Sequence, residues 1–158
     1  MRETSFNRAS KETDITIKLN IDGTGEANIN SGIGFLDHML ELFVFWGHFD
    51  LDILTNKADL NVDIHHTNED IGIVLGSAFK KALGDKAGIR RIGSASAPME
   101  GVTAYATVDI SGRPSYQLII SHGSEWDAPS NLSSSDDPNG YESKDAEHFF
   151  EALPNSLA

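Results

Sequence analysis

The segment His65-His66-Thr67-Asn68-Glu69-Asp70 places two imidazoles and a carboxylate within five positions. If this segment is helical, Glu69 lies at i+4 from His65 and at i+3 from His66, so either pair shares one helix face. Mixed imidazole and carboxylate ligands suit Mn, Fe or Zn better than Ca or Mg. Two exposed histidines beside ordinary acidic residues are the alternative, but the apolar flanks on both sides favour a buried, functional pair.

The segments on either side of this motif carry helical patterns. Downstream, residues 71–83 show apolar residues at a helical period, and Gly84 ends the pattern. Upstream, residues 35–46 are almost continuously apolar and predict a mostly buried helix closed by Gly47. In this helix the aromatic cluster of Phe43, Phe45 and Trp46 is expected in the core. A third, short helix is predicted over 145–153.

Alternating apolar and polar residues predict strands elsewhere in the chain. Residues 14–21 are rich in β-branched side chains, and Asp22-Gly23-Thr24-Gly25 has the chemistry of a hairpin turn that leads into a returning strand at 26–30. Further strands are predicted at 49–54, 60–64, 104–110 and 116–120. A polar connection over 121–140 separates the last of these from the third helix.

Two parts of the chain are similar to one another. Residues 37–43 align with residues 147–153, and in both an acid, a histidine, two apolar residues and a glutamate follow in step. The predicted fold class is therefore α+β with a two-fold internal repeat of β-sheet plus helices. The first unit spans 1–93 and the second 94–158, and we expect the second to be incomplete, truncated after its first helix.

Composition limits the kind of protein. The chain has 158 residues, a formal net charge of −12 and no cysteine, so its metal ligands must be His, Asp and Glu. This charge argues against nucleic acid or an anionic membrane as a partner, and it permits a phosphorylated substrate only where a few arginines converge. No apolar run approaches the roughly 18 residues that span a bilayer. The expected location is cytoplasmic.

Many short motifs, taken in order, resemble the imidazoleglycerol-phosphate dehydratase family. They are Lys11-Glu12-Thr13, Asp22-Gly23-Thr24-Gly25, Gly34-Phe35-Leu36-Asp37-His38-Met39-Leu40, Asp63-Ile64-His65-His66-Thr67-Asn68-Glu69-Asp70, Leu75-Gly76, Gly88-Ile89-Arg90-Arg91, Pro98-Met99, Asp109-Ile110-Ser111-Gly112-Arg113-Pro114 and Glu147-His148-Phe149-Phe150. The resemblance implies an α+β fold of two similar halves. It also implies large homo-oligomers whose active sites, each with two manganese ions, are shared between subunits.

The resemblance further implies a reaction and a set of site residues. The reaction is dehydration of D-erythro-imidazole-glycerol phosphate to imidazole-acetol phosphate, a step of histidine biosynthesis. By position, the residues that match metal ligands for Mn²⁺ are His38, His65, His66, Glu69 and His148. Glu12 matches a substrate-binding acid that acts in proton transfer, with Glu69 as a second catalytic carboxylate, and Arg91 and Arg113 match contacts to the substrate phosphate. His38 alone, on an apolar helix, would be taken for a core residue; its counterpart at His148 favours a ligand.

The sequence departs from the family pattern in two places. A second His-His-x-x-Glu motif and the following helix with a phosphate-binding lysine are absent from the C-terminal part, and Pro98-Met99-Glu100-Gly101 stands where the family has Pro-Met-Asp-Glu. The alternative function is therefore a truncated, non-catalytic family member that retains a partial metal site without turnover. A generic metal-binding α+β domain is a third hypothesis, but it leaves the ordered motifs unexplained.

Overall fold

A computed structural model of the chain describes residues 2–119 and 140–158. Its elements, in chain order, are β1 (Glu3–Ala9), β2 (Asp14–Asn20), β3 (Ala27–Asn30), α1 (Gly34–Gly47), β4 (Asp50–Lys57), α2 (His65–Leu83), β5 (Ile92–Met99), β6 (Val102–Asp109) and α3 (Ser143–Leu157). The α+β class predicted from the sequence is confirmed. The division of the chain into two repeat units at 93/94 stays a prediction.

The first four strands form one sheet in the order β1-β2-β4-β3. β2 lies between β1 and β4 and is antiparallel to both, whereas β3 runs parallel to β4. Parallel neighbours need a long crossover, and α1 supplies it between β3 and β4. The predicted hairpin of β2 and the segment after Gly25 is therefore wrong, because β4 occupies the place beside β2.

The core lies between this sheet and α2. On β2 the alternate residues Ile15, Ile17 and Leu19 are at most 1% exposed, as the two-residue period of a strand requires. Facing them, α2 buries Ile71, Val74, Leu75 and Ala78 at the spacing predicted from the sequence. This packing holds α2, and with it the histidine pair at its first turn, firmly on the sheet.

α3 packs closely along α2. A Cβ added at Gly76 would lie 2.3 Å from the carbonyl oxygen of Leu153, and one added at Gly72 would lie 2.9 Å from that of Phe149. Such distances are shorter than van der Waals contact, so only glycine permits the two backbones to approach this closely. The contact brings the N-terminal part of α3, which carries His148, alongside the first turn of α2.

β5 and β6 form a separate two-stranded antiparallel sheet, in which Met99 pairs with Val102. The two residues between them, Glu100 and Gly101, both have positive φ, at 44° and 88°. Positive φ at both central positions is typical of a type I′ hairpin turn, which favours glycine. The unusual Glu100-Gly101 pair thus forms the tip of this hairpin, and every residue of both strands is exposed.

Two predicted strands are not found. Residues 60–62 form a turn and residues 63–64 lead into α2, because the Asp63 carboxylate accepts a hydrogen bond from the backbone N–H of His65 at 2.9 Å and the chain enters the helix there instead of extending. Residues 116–119 lie in no strand, and residue 120 falls outside the described ranges, as does the polar connection up to residue 139. Conversely, β1 and β5 are strands that the sequence analysis did not predict.

The predicted helix α1 is present, but its aromatic cluster is not core. Phe43, Phe45 and Trp46 are 40%, 59% and 76% exposed, while Leu36, Leu40 and Val44 are the side chains that α1 buries. The helix therefore buries one stripe, and the aromatic residues near its C-terminus lie largely outside that stripe. Among the helices of the described ranges, none is both long enough and apolar enough to span a membrane.

Candidate metal site

The histidine pair lies in the first turn of α2, as the helical spacing predicted. The expectation that the pair is buried is wrong, because the side chains of His65 and His66 are 36% and 41% exposed. His65 and His66 open the helix, and their ring centroids are 5.5 Å apart with the planes tilted by 56°. Consecutive residues on a helix point about 100° apart, so the two imidazoles face different neighbours. Each one joins a separate cluster of potential ligands.

The first cluster joins α2 to α3. The His65 and His148 rings meet edge to face with centroids 4.4 Å apart. One ligand atom from each of His65, His148 and Asp145 lies within 4.8 Å of the other two. Glu69, one turn further along α2, places Oε2 3.7 Å from Nε2 of His65. The i+4 pair predicted from the sequence is thus formed, with a carboxylate and an imidazole from α3 beside it.

Asp145 and His148 owe their placement to the start of α3. Asp145 is the third residue of the helix, and its Oδ2 accepts a hydrogen bond from the backbone N–H of Glu142 at 2.8 Å in a capping box. His148 follows three residues later on the same face. An open cleft of about 780 Å³ lies beside both side chains and is also lined by His65.

The donor set of this cluster fits a transition metal. Nδ1 of His148 is buried and has no hydrogen-bond partner within the described part of the chain. A buried imidazole nitrogen without a partner is costly unless something else binds it. Two imidazoles and carboxylate oxygens are gathered at this position. Such a ligand set suits Mn, Fe or Zn, as the sequence predicted.

The second cluster lies on the other side of the α2 N-terminus. Nδ1 of His66 is 3.0 Å from Oδ2 of Asp59 and 3.5 Å from Oε2 of Glu12. The hydrogen bond with Asp59, followed by the negative charge of Glu12, raises the pKa of His66 above its ordinary value. Glu12, which the family resemblance matches with a substrate-binding acid, is therefore next to a predicted metal ligand.

A buried network holds Glu12 in this place. Its neighbour Thr13 is fully buried and donates a hydrogen bond from Oγ1 to Oδ2 of Asp70 at 2.5 Å. The same carboxylate oxygen accepts from the guanidinium of Arg8 at 2.8 Å. Since Asp70 is part of α2, these contacts fix the segment before β2 to the helix that carries His66.

His38 lies apart from both clusters. It is on α1 with 62% of its side chain exposed, and its nearest acidic partner is Glu41, whose Oε2 is 4.0 Å from Nδ1. Of the five predicted ligands, the structure thus brings His65, Glu69 and His148 together, places His66 in a second cluster, and leaves His38 outside both. Their assignment as ligands stays a prediction.

The two predicted phosphate contacts lie at one end of the β5–β6 hairpin. Arg91 donates two hydrogen bonds to Asp109, from Nε at 2.6 Å and from the terminal amino group at 2.9 Å. The hydrogen bond lowers the pKa of Asp109 and raises that of Arg91, and the charge of Arg113 lowers the pKa of Asp109 further. Both arginines are exposed, so the pair forms a cationic group around one carboxylate.

Two members of the clusters were missed in the sequence analysis. Asp145 precedes His148 by three residues, the same spacing that singled out His66 and Glu69, so this signal was available. Asp59 precedes His66 by seven residues within a segment predicted to lead into a strand. No local pattern ties Asp59 to His66, because their contact depends on the turn that replaces that strand.

Comparisons with known proteins agree with the motifs. The family model described as imidazoleglycerol-phosphate dehydratase matches residues 31–158. The imidazoleglycerol-phosphate dehydratase of Acetivibrio thermocellus is 53% identical over 113 residues, which cover 72% of this chain and 57% of that protein. The enzyme of the same name from Lachnoclostridium phytofermentans is 56% identical over 113 residues, with the same shares of each chain.

Solved structures with the same fold carry the same name. The crystal structure of imidazoleglycerol-phosphate dehydratase from Staphylococcus aureus superposes with a TM-score of 0.75 and 29% identity, covering 98% of this chain and 79% of that one. The Pyrococcus furiosus protein, solved in complex with (S)-C348, superposes with a TM-score of 0.70 and 30% identity, covering 96% of this chain and 73% of that one. The chain spans somewhat more than half the length of the curated relatives that it matches. Because the family model matches most of this chain and the motifs occur in the family's order, the chain belongs to the imidazoleglycerol-phosphate dehydratase family.

Proposed function

We propose that this chain takes part in the manganese-dependent dehydration of imidazoleglycerol phosphate to imidazole-acetol phosphate in histidine biosynthesis. The observation that supports this most is the meeting of His65 and His148, which come from distant parts of the sequence and which the motif resemblance matches with metal ligands. Assembly into a homo-oligomer is part of the proposal, because the family's active sites are shared between subunits.

One metal ion would be held by His65, Glu69 and His148, and a second by His66. His38 would have to reach one of these sites from its position outside both clusters. When bound, the metal supplies a Lewis acid that draws charge from the imidazole of the substrate. Asp145, with its carboxylate already bonded to the backbone at the start of α3, would orient the His148 side of this set.

The chain's carboxylates and guanidinium groups perform the remaining tasks. The reaction removes a weakly acidic C–H proton and expels a hydroxyl, so a carboxylate must accept a proton and another acid must protonate the leaving oxygen. Glu12 and Glu69 are the carboxylates proposed for these transfers. Arg91 and Arg113 would bind the phosphate and set the position of the substrate, with Arg91 exchanging its present partner Asp109 for the phosphate oxygens.

A non-catalytic, metal-binding family member is the second candidate, because His38 lies away from the residues it would have to join. The two functions are separated by measuring turnover of imidazoleglycerol phosphate and Mn²⁺ binding on the purified 158-residue chain. Turnover that requires Mn²⁺ supports the enzyme. Stoichiometric Mn²⁺ binding by a folded chain without turnover supports the second candidate.

Glu69→Gln is the variant that tests the site, and Glu3→Gln is its matched control, since Glu3 is exposed on β1 and belongs to neither cluster. We expect Glu69→Gln to weaken Mn²⁺ binding and to abolish turnover, whereas Glu3→Gln retains both. Unchanged metal stoichiometry and activity in Glu69→Gln would remove Glu69 from the ligand set.

A further inference from the structure

We propose that Asp59 is a positioning residue that fixes the tautomer of His66, so that Nδ1 carries the proton and Nε2 is the only ring nitrogen offered to a metal. This inference deepens the proposed function and rests on it for the identity of the metal. It assigns to Asp59 a role as hydrogen-bond acceptor and not as a ligand, although its carboxylate lies in the second cluster.

The distances around His66 carry the assignment of the tautomer. Oδ2 of Asp59 lies 3.0 Å from Nδ1 with the geometry of a hydrogen bond, and Oε2 of Glu12 lies 3.5 Å from the same nitrogen. A lone pair on Nδ1 would face two carboxylates and be repelled by both. A proton on Nδ1 donates instead, and the other nitrogen of the neutral ring then keeps its lone pair.

Asp59 is itself held in place by the helix that carries His66. Its backbone N–H donates to Oγ1 of Thr67 at 3.0 Å, and Thr67 is fully buried. Thr67 is the next residue after His66, so the acceptor and the donor of the critical hydrogen bond are both anchored at the first turn of α2. The carboxylate is 79% buried by side-chain area, with 21% exposed, which limits its exchange with solvent.

This arrangement is the one that proteins use to orient metal-binding histidines. A carboxylate that accepts from one ring nitrogen fixes the ring and makes the other nitrogen a better electron donor. Glu12, at 3.5 Å, is too distant for the same hydrogen bond and remains free to act on a proton of the substrate. Asp59 and Glu12 therefore have different roles although they face the same imidazole.

The test is ¹⁵N NMR of the histidine ring nitrogens in the folded, metal-free 158-residue chain at alkaline pH, where His66 is neutral. We expect the Nδ1–H tautomer in the wild type and in Asp59→Asn, whose amide oxygen still accepts the hydrogen bond. Asp59→Ala should lose this preference, and Glu12→Gln should keep it. The Nε2–H tautomer in the wild type, or an unchanged Nδ1–H tautomer in Asp59→Ala, would overturn the proposal.

Titration with Mn²⁺, followed by electron paramagnetic resonance, gives a second readout. Asp59→Ala should bind Mn²⁺ roughly 10–100-fold more weakly, the usual effect of removing such a partner, and Asp59→Asn should recover most of the affinity. Equal and complete loss of Mn²⁺ in both variants would make Asp59 a ligand and would overturn the positioning role. If the wild type shows the Nδ1–H tautomer but does not bind Mn²⁺, the proposed function fails while the orientation of His66 by Asp59 stands.

Discussion

Asn68 on α2 donates a hydrogen bond from its side-chain amide to the backbone carbonyl of Asp145 on α3, at 2.7 Å. The Asn68 side chain is fully buried, and its Oδ1 accepts a second hydrogen bond from the hydroxyl of Tyr141 at 3.0 Å. One buried amide thus links the first turn of α2, where His65 lies, to the start of α3, where Asp145 and His148 lie. The geometry of the first cluster of potential ligands depends on this link.

Replacing Asn68 should therefore damage both stability and metal binding. Asn68→Ala removes the side-chain hydrogen bond to the Asp145 carbonyl, which keeps its partner within α3, and leaves the buried Tyr141 hydroxyl without a partner. A lost hydrogen bond costs about 0.5–1.5 kcal/mol and an unsatisfied buried group about 1–3 kcal/mol. We expect a loss of roughly 2–4 kcal/mol in the free energy of unfolding, measured by urea denaturation. Tyr141→Phe removes one of the two hydrogen bonds and should cost less. A loss of stability in Asn68→Ala no greater than that in Tyr141→Phe would contradict the linking role.

At the glycines of α2, replacement by alanine should destabilise the fold, which is opposite to its usual effect in a helix. In an exposed helix, Gly→Ala stabilises by about 1 kcal/mol. At Gly76 the new methyl group would lie 2.3 Å from the carbonyl of Leu153 and 2.9 Å from Cβ of Ser156, so α3 must move away. Gly76→Ala should lower the melting temperature and weaken Mn²⁺ binding by separating His148 from His65. Ser77→Ala, at the next position of the same helix, is the control, and it should leave metal binding unchanged.

The burial of Thr13 predicts a role for its hydroxyl in placing Glu12. Thr13→Val keeps the shape of the side chain but removes the hydrogen bond to Asp70, and hydrogen bonds to charged groups contribute about 1.5–3 kcal/mol. We expect a loss of that size in the free energy of unfolding, with weaker turnover because Glu12 is no longer held beside His66. Thermal and urea unfolding measure the first effect, and kcat measures the second.

Thr55→Val is the matched control for this substitution. The Thr55 hydroxyl is buried and has no hydrogen-bond partner among the residues that the structure describes, so its removal should be neutral or stabilising. Equal destabilisation by the two valine substitutions would show that the Thr13–Asp70 hydrogen bond contributes nothing specific.

The sequence predicted the secondary-structure elements better than it predicted which of them lie side by side. The turn at Asp22–Gly25 was recognised, but its conformation is fixed by Asp50, whose Oδ1 accepts hydrogen bonds from the backbone N–H groups of Thr24, Gly25 and Glu26 at 2.7–3.2 Å. A carboxylate on β4 therefore holds the turn that follows β2. Local turn chemistry indicates that the chain reverses; it cannot indicate which strand will lie beside it.

The candidate site shows the same division between local and distant contacts. The spacing of His65, His66 and Glu69 was readable because a helix converts sequence intervals directly into faces. The contact between His65 and His148 depends on how two helices dock, and there the sequence offered only the resemblance between the two units. The contact of Asp59 with His66 could not be predicted from the sequence, because it depends on a turn in a segment whose alternating pattern predicted a strand.

The arginine pair on the β5–β6 hairpin yields the last prediction. Asp109 binds the guanidinium of Arg91 with two hydrogen bonds and lies near Arg113, so it competes with any phosphate for both cations. Exposed ion pairs of this kind contribute about 0.2–1 kcal/mol. Asp109→Asn should therefore strengthen binding of inorganic phosphate by roughly two- to five-fold, measured by calorimetry at low ionic strength.

Arg113→Gln should weaken phosphate binding in the same experiment, and it should remove most of the gain when combined with Asp109→Asn. Lys18 and Asp52 form an exposed ion pair on the four-stranded sheet, 3.9 Å apart, and Asp52→Asn serves as the matched control for a simple change in net charge. If Asp52→Asn strengthens phosphate binding as much as Asp109→Asn does, the effect is the overall charge of the chain, and the hairpin is not the phosphate site. A gain confined to Asp109→Asn places the phosphate between Arg91 and Arg113.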